Sequence, residues 1–171
     1  MAWKEFKKGK TSKQDVQEFE FNLEDNIFQL YEDLKDKSYV HSPYVSFYVT
    51  DPKLRHIHKA CVRDRVLHHA IFRILYQIFD RKFIYDSYSC RLVKGTHWAV
   101  NRLESFIRKS SCNNNGLIYA LKCDVRKFFD SIDKANLKKI IANKIKDTDS
   151  LWLISKILDS FSKTPGTGTC F

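Results

Sequence analysis

The stretch from Asp64 to Phe79 constrains this chain most: Val66, Ala70, Ile71, Ile74, Leu75, Ile78 and Phe79 recur at three- and four-residue spacing. So broad a stripe predicts a long amphipathic helix whose apolar face must be covered by other elements. The rest of the chain offers several. Asn22 to Lys35 carries Leu23, Ile27, Leu30 and Leu34 at helical spacing, and His97 to Lys109 turns Ala99, Leu103, Phe106 and Ile107 inward. Asp133 is suited to cap a helix carrying Leu137, Ile140, Ile141 and Ile145, and a last helix near Asp149 to Phe161 aligns Ile154, Ile157, Leu158 and Phe161.

Strand signals are fewer. Tyr39 to Val49 is β-branched and aromatic, with Pro43 pointing to a sheet edge; Asp51-Pro52 is turn chemistry, and Leu54 to Ile57 would complete a hairpin. Leu117 to Val125 alternates, with Tyr119, Leu121, Cys123 and Val125 on one face and Ile118, Ala120, Lys122 and Asp124 on the other, which predicts a strand ending at Asp124. Residues 1–20 read as an arm or a helix that needs a partner, and 110–116 and 162–171 as loops. No repeat and no linker interrupts the chain. The expected fold class is α+β.

A length of 171 residues suits about one domain with a sizeable core. With 43% hydrophobic and 29% charged residues, the composition excludes a disordered chain and a membrane-spanning one, and the N-terminus lacks the apolar run of a signal peptide. The five cysteines are odd in number, contain no C-x-x-C and read as free thiols in a reducing cytoplasm. The net charge of +10 is not spread evenly: residues 51–127 hold 16 basic and 6 acidic side chains, whereas residues 1–50 hold 7 and 9. A concentrated basic block beside 24 aromatic residues suits nucleic acid, because phosphates take cations and bases take flat faces.

Asp124 is the first candidate for chemistry. A carboxylate where an apolar strand meets a turn is a rigid oxygen ligand for Mg2+, with Phe129 as a flat wall nearby. Equally, Asp124 could pair with Lys122 or Arg126 while Phe128 and Phe129 fill a core, and spacing alone leaves both readings open. Arg63, Arg65, Arg73, Arg81, Lys82, Arg91, Lys94, Arg102, Arg108 and Lys109 are either phosphate contacts or solvated charges. Asp64 beside Arg65 reads as a structural ion pair or cap. His56, His58, His68, His69 and His97 match no zinc spacing.

Asp124-Val-Arg-Lys-Phe-Phe-Asp-Ser-Ile-Asp133 closely resembles the first catalytic motif of the reverse transcriptases of bacterial retroelements, the group II intron, retron and diversity-generating kinds. Arg55 with Asp64-Arg65 resembles that family's fingers segment, and Phe83 to Arg91 followed by Lys94-Gly-Thr-His97 resembles the next block, nearest to the diversity-generating branch. The resemblance covers about residues 40–165. It implies a right-hand polymerase binding an RNA template, a DNA primer and deoxynucleotides, with two Mg2+ ions in the complete enzyme. It further implies that Asp124 is the first metal-binding carboxylate, that the Val125 backbone carbonyl is an added ligand, that Phe129 lies under the nucleotide sugar, and that Arg55 and Lys53 grip the triphosphate. Arg63, Arg65, Arg91, Lys94 and Arg102 would contact nucleic acid, and a retroelement accessory protein would be a further partner.

The expected divisions are a basic arm (1–21), fingers (22–116) and the start of a palm (117–171). The family's Tyr-x-Asp-Asp hairpin and thumb are not in this sequence, so the expectation is a fragment that does not polymerise alone. An inactive nucleic-acid-binding module and a non-functional remnant are the alternatives.

Overall fold

A computed structural model describes residues 2–126 and 128–161, the Asp130 side chain excepted. The expected loop at 162–171, with Cys170, lies outside those residues, as does Lys127. The described chain is mixed α+β: eight helices, α1 (Ala2–Phe6), α2 (Gln14–Phe21), α3 (Leu23–Lys35), α4 (Val62–Phe79), α5 (Thr96–Ser110), α6 (Phe128–Ser131), α7 (Lys134–Ala142) and α8 (Thr148–Ser160), and one hairpin of β1 (Val45–Thr50) and β2 (Leu54–Lys59). No helix among the described residues is long and apolar enough to cross a membrane. The residues fall into two compact units, 1–74 with 129–171, and 75–128.

The first unit is built on the apolar face of α4. Val62 and Val66 pack with Phe6 of α1 and Val16 of α2, and Trp3 and Phe19 close over that cluster. Leu67 packs with Leu30 and Tyr39, joined by Leu34 and Ile71 and by Trp152, Leu153 and Ile157 of α8. Each such side chain contributes about 1.5–3 kcal/mol by leaving water. The basic N-terminal residues are thus helices with a partner, and the apolar positions among their charges are what the partner covers. Arg65 of α4 reaches Asp15 of α2 at 2.5 Å, and Arg63 reaches Asp33 of α3 at 2.7 Å.

Helix α3 stops where Lys37 turns left-handed (φ 56°), which returns the chain so that the Tyr39 N–H donates to the Asp33 carbonyl. The hairpin is antiparallel, pairing Ser46 with His58 and Phe47 with Ile57. Its first strand starts at Val45, not at Tyr39. Tyr39 is drawn into the core, the Ser42 N–H is taken by a buried carboxylate, and Pro43 has no N–H to give a ladder. Asp133 caps α7 as its position suggested, accepting from the Ala135 and Asn136 N–H groups. Asp147 does the same for α8 through Ser150.

The second unit contains the end of α4, a 3-10 turn (Asp80–Lys82), an irregular stretch and α5. Among the described residues none of its hydrophobic side chains is buried; only Ser111 is, closing the turn after α5 by accepting from the Asn114 N–H. The strand expected over 117–125 does not form. Those residues have no regular structure, and Tyr119 and Leu121 are each 90% exposed. Alternation marks a segment that can be a strand, but a ladder needs a second edge, and the described sheet is the hairpin alone.

Candidate functional site

The sequence candidates divide between the two units. Asp124, Val125, Arg91, Lys94 and Arg102 belong to the second; Lys53, Arg55, Arg63, Arg65 and Phe129 belong to the first. Asp124 is exposed in an irregular segment, and among the described residues it belongs to no group of three or more potential metal ligands. Phe129 is 83% exposed on the short α6. Lys53 sits in the hairpin turn and Arg55 opposite Val49 on β2, both exposed. Arg63 and Arg65 are clamped by Asp33 and Asp15, so a phosphate would have to displace a carboxylate to reach them. Asp15, despite the burial that opposes its charge, is held below its ordinary range by Lys59 and Arg65.

In the second unit Lys94 and Arg102 do meet, at Tyr85, while Arg91 serves the neighbouring loop. Arg91 donates to the Asp80 carboxylate at 2.7 Å and to the carbonyls of Asp80, Ile84 and Ser87, which makes it the staple of the loop between α4 and α5. Its hydrogen bond lowers the Asp80 carboxyl below its ordinary value. Lys94 donates to the Tyr85 carbonyl and stands 3.9 Å from that ring's centroid. Arg102 donates to Asp86 at 2.8 Å and lies over Tyr85 and Phe106, at 5.4 and 4.5 Å. Asp86 also accepts from the Tyr88 hydroxyl. Cations laid on exposed aromatic faces present charge and a flat surface together, the combination that stacks bases and binds phosphates in single strands. Ion pairs and ring contacts of this kind also hold a loop that has no apolar core.

The sequence reading missed a second cluster, in the first unit. Asp64 is fully buried, and its partner is not Arg65. Its carboxylate accepts from the Tyr39 hydroxyl at 2.8 Å, the Ser42 N–H at 2.8 Å and the Cys61 thiol at 3.2 Å, while His41 Nδ1 stands 3.5 Å away. Burial opposes the charge, yet the Cys61, Tyr39 and Ser42 donors together hold the Asp64 carboxyl below its ordinary value. Burial and the neighbouring carboxylate push the Tyr39 hydroxyl and the Cys61 thiol up, so both stay protonated and donate. His41 Nε2 faces His68 Nε2 at 3.2 Å, the rings 20° from parallel. Burial first, then the His41 charge, keeps His68 below the ordinary histidine value. The one available signal was an Asp inside an apolar helical stripe, which either caps the helix or receives donors from elsewhere. Here the donors come from residues more than twenty positions upstream as well as from Cys61.

Neither a scan against models of known protein families nor a search of curated proteins returned a match.

Proposed function

We propose that this chain is the fingers and opening palm of an RNA-directed DNA polymerase of the bacterial retroelement kind, binding RNA template, DNA primer and deoxynucleotides in the cytoplasm. One observation carries the reading: the run Asp124 to Asp133, preceded in order by the blocks at Arg55, Asp64-Arg65, Phe83 to Arg91 and Lys94 to His97. The basic excess over 51–127 and the Lys94–Tyr85–Arg102–Phe106 surface support it, since both suit contact with a polyanion. Arg55 and Lys53 are exposed, as a triphosphate contact requires, and Phe129 is 83% exposed. A retroelement accessory protein remains a proposed partner.

Mg2+ does not fit the described residues by themselves. It asks for near-octahedral oxygen coordination, and the Asp124 carboxylate with the Val125 carbonyl supplies two groups where the chemistry needs further carboxylates. That same shortage favours a second reading, a nucleic-acid-binding module without catalysis.

Two measurements separate them. Both readings expect the chain to bind RNA or an RNA–DNA duplex with an affinity that falls steeply as salt rises; a flat salt response removes both. Primer extension by the complete product of the reading frame then decides between them. The polymerase reading expects synthesis that Asp124→Asn abolishes while template–primer binding persists. Extension at the parental rate by that variant overturns the role of Asp124, and no extension by the parent leaves the binding module.

A further inference from the structure

We propose that the exposed face of α3 docks a basic amphipathic helix of a protein partner, whose apolar side chains cover Ile27, Phe28 and Tyr31 while one of its cations sits beside Glu24 and Asp25. The surface is separate from every candidate contact to nucleic acid and rests on nothing in the polymerase reading.

Helix α3 carries more apolar surface than its own unit covers. Leu30 is buried with Tyr39 and Leu67, and Leu34 packs against the same cluster. Ile27, Phe28 and Tyr31 lie on the adjoining side of the helix, with Glu24 one turn before Phe28, because residues three and four apart share a face. Phe28 is 68% exposed and Tyr31 57%, and Phe21, two residues before α3, is 88% exposed. Single exposed hydrophobic residues are ordinary, but a contiguous stripe rimmed by charge marks a surface that another molecule covers.

Charge identifies the occupant. The chain is +10 overall, yet residues 14–36 hold eight carboxylates and Lys35 as their one base. Several of those carboxylates are met within the unit: Asp15 by Arg65 and Lys59, Glu20 by Lys7, and Asp33 by Arg63. Glu24 and Asp25 are exposed and make no ion pair among the described residues. With Phe21 they line a hollow of about 370 Å³ at the start of α3. A Lys or Arg of the partner that enters there meets two carboxylates and an aromatic ring, while its stem stays on apolar surface. Nucleic acid and anionic lipid are repelled by the same charge. A second copy packed face to face would set Glu24 and Asp25 against their equivalents. A protein helix that is apolar on one side and basic on its flanks satisfies both the stripe and the rim. The 13 residues of α3 span about 20 Å, so three to four turns of such a helix cover it. The apolar contact supplies most of the affinity and the charges choose the partner.

The test uses the full chain and a labelled synthetic peptide of about 18 residues, with Leu at helical spacing on one side and Lys on its flanks. Its counterpart carries Glu in place of each Lys. Fluorescence anisotropy should show saturable one-to-one binding of the Lys peptide, weakening as salt rises, and none of the Glu peptide. Phe28→Ala with Tyr31→Ala should weaken that binding at least tenfold. Glu24→Gln with Asp25→Asn should weaken it about threefold and flatten its salt dependence. All four positions are exposed, so the variants should keep the parental circular dichroism spectrum. Binding of RNA by the same variants should stay at the parental level, which separates this surface from the nucleic-acid reading. No saturable binding of the Lys peptide, equal binding of the Glu peptide, or binding unaltered in Phe28→Ala with Tyr31→Ala would each overturn the proposal. So would a parental dimer in sedimentation that those two substitutions dissociate, because the face would then belong to a second copy of the chain.

Discussion

Helices α4 and α5 are written in nearly the same pattern and end in opposite situations. Both carry an apolar stripe at helical spacing, and both form where that stripe predicts. Helix α4 buries Val62, Asp64, Val66 and Leu67; α5, three residues shorter, buries none, and Trp98 and Leu103 stay more than half exposed. The difference extends to their units. Every buried hydrophobic residue of the described chain lies in the unit of 1–74 and 129–171, where α1, α2, α3 and α8 cover α4. The unit of 75–128 is held instead by Arg91 on Asp80, Arg102 on Asp86 and aromatic rings under cations. Amphipathicity makes a helix; burial depends on what the rest of the chain brings to it.

Substitutions can break this contrast, beginning with the core. Leu67→Ala should destabilise the first unit by about 3 kcal/mol, because a buried Leu loses its transfer energy and leaves a cavity. A drop in urea midpoint at unchanged slope would show it. Tyr39→Phe comes next, at about 2 kcal/mol, since it removes a donor from a buried ionised carboxylate without changing the packing. A loss as small as that of an exposed Tyr would mean that Asp64 is satisfied without it.

Acid gives a smaller and graded effect. His68 has a folded pKa below its unfolded value near 6.5, so the unfolded chain binds the extra proton first. The associated stability is complete above pH 6.5 and is lost as pH falls below it. Asp64, also depressed, adds its own loss only at lower pH, below about 4. Unfolding curves between pH 7.5 and 5.5 should therefore slope downward with acid, and His68→Gln should flatten that slope.

The smallest expected change is at α5. Leu103→Ala should alter stability by no more than about 0.5 kcal/mol, as at other exposed positions. Amide exchange should be faster across 75–126 than in α4 up to Leu67, because few apolar contacts oppose local opening there. Protection in α5 equal to that of α4 would erase the contrast.

Much of the secondary structure was legible in the sequence because its causes are local. The stripes of α3, α4, α5 and α8, the hairpin around Asp51-Pro52 and the Asp133 cap each follow from spacing or from side-chain chemistry within a few residues. The candidate surface was legible in part: Lys94 and Arg102 do converge on Tyr85, whereas Arg63 and Arg65 are taken by Asp33 and Asp15. The segment 117–125 misled because its two-residue alternation describes one strand, while a strand exists only through hydrogen bonds to another.

By itself the sequence determined the helical stripes of α3, α4, α5, α7 and α8, where the hairpin reverses, and that the net positive excess lies between residues 51 and 127. Those properties come from backbone preference and composition, which act over one or two turns. Only the tertiary structure decided which stripe became a core, that Asp64 would be buried among donors from Tyr39, Ser42 and Cys61, and that His41 would meet His68 across 27 positions of chain. Such pairings depend on how α3 reverses at Lys37 and on which side chains compete for the face of α4, a balance of packing and desolvation set by the whole unit.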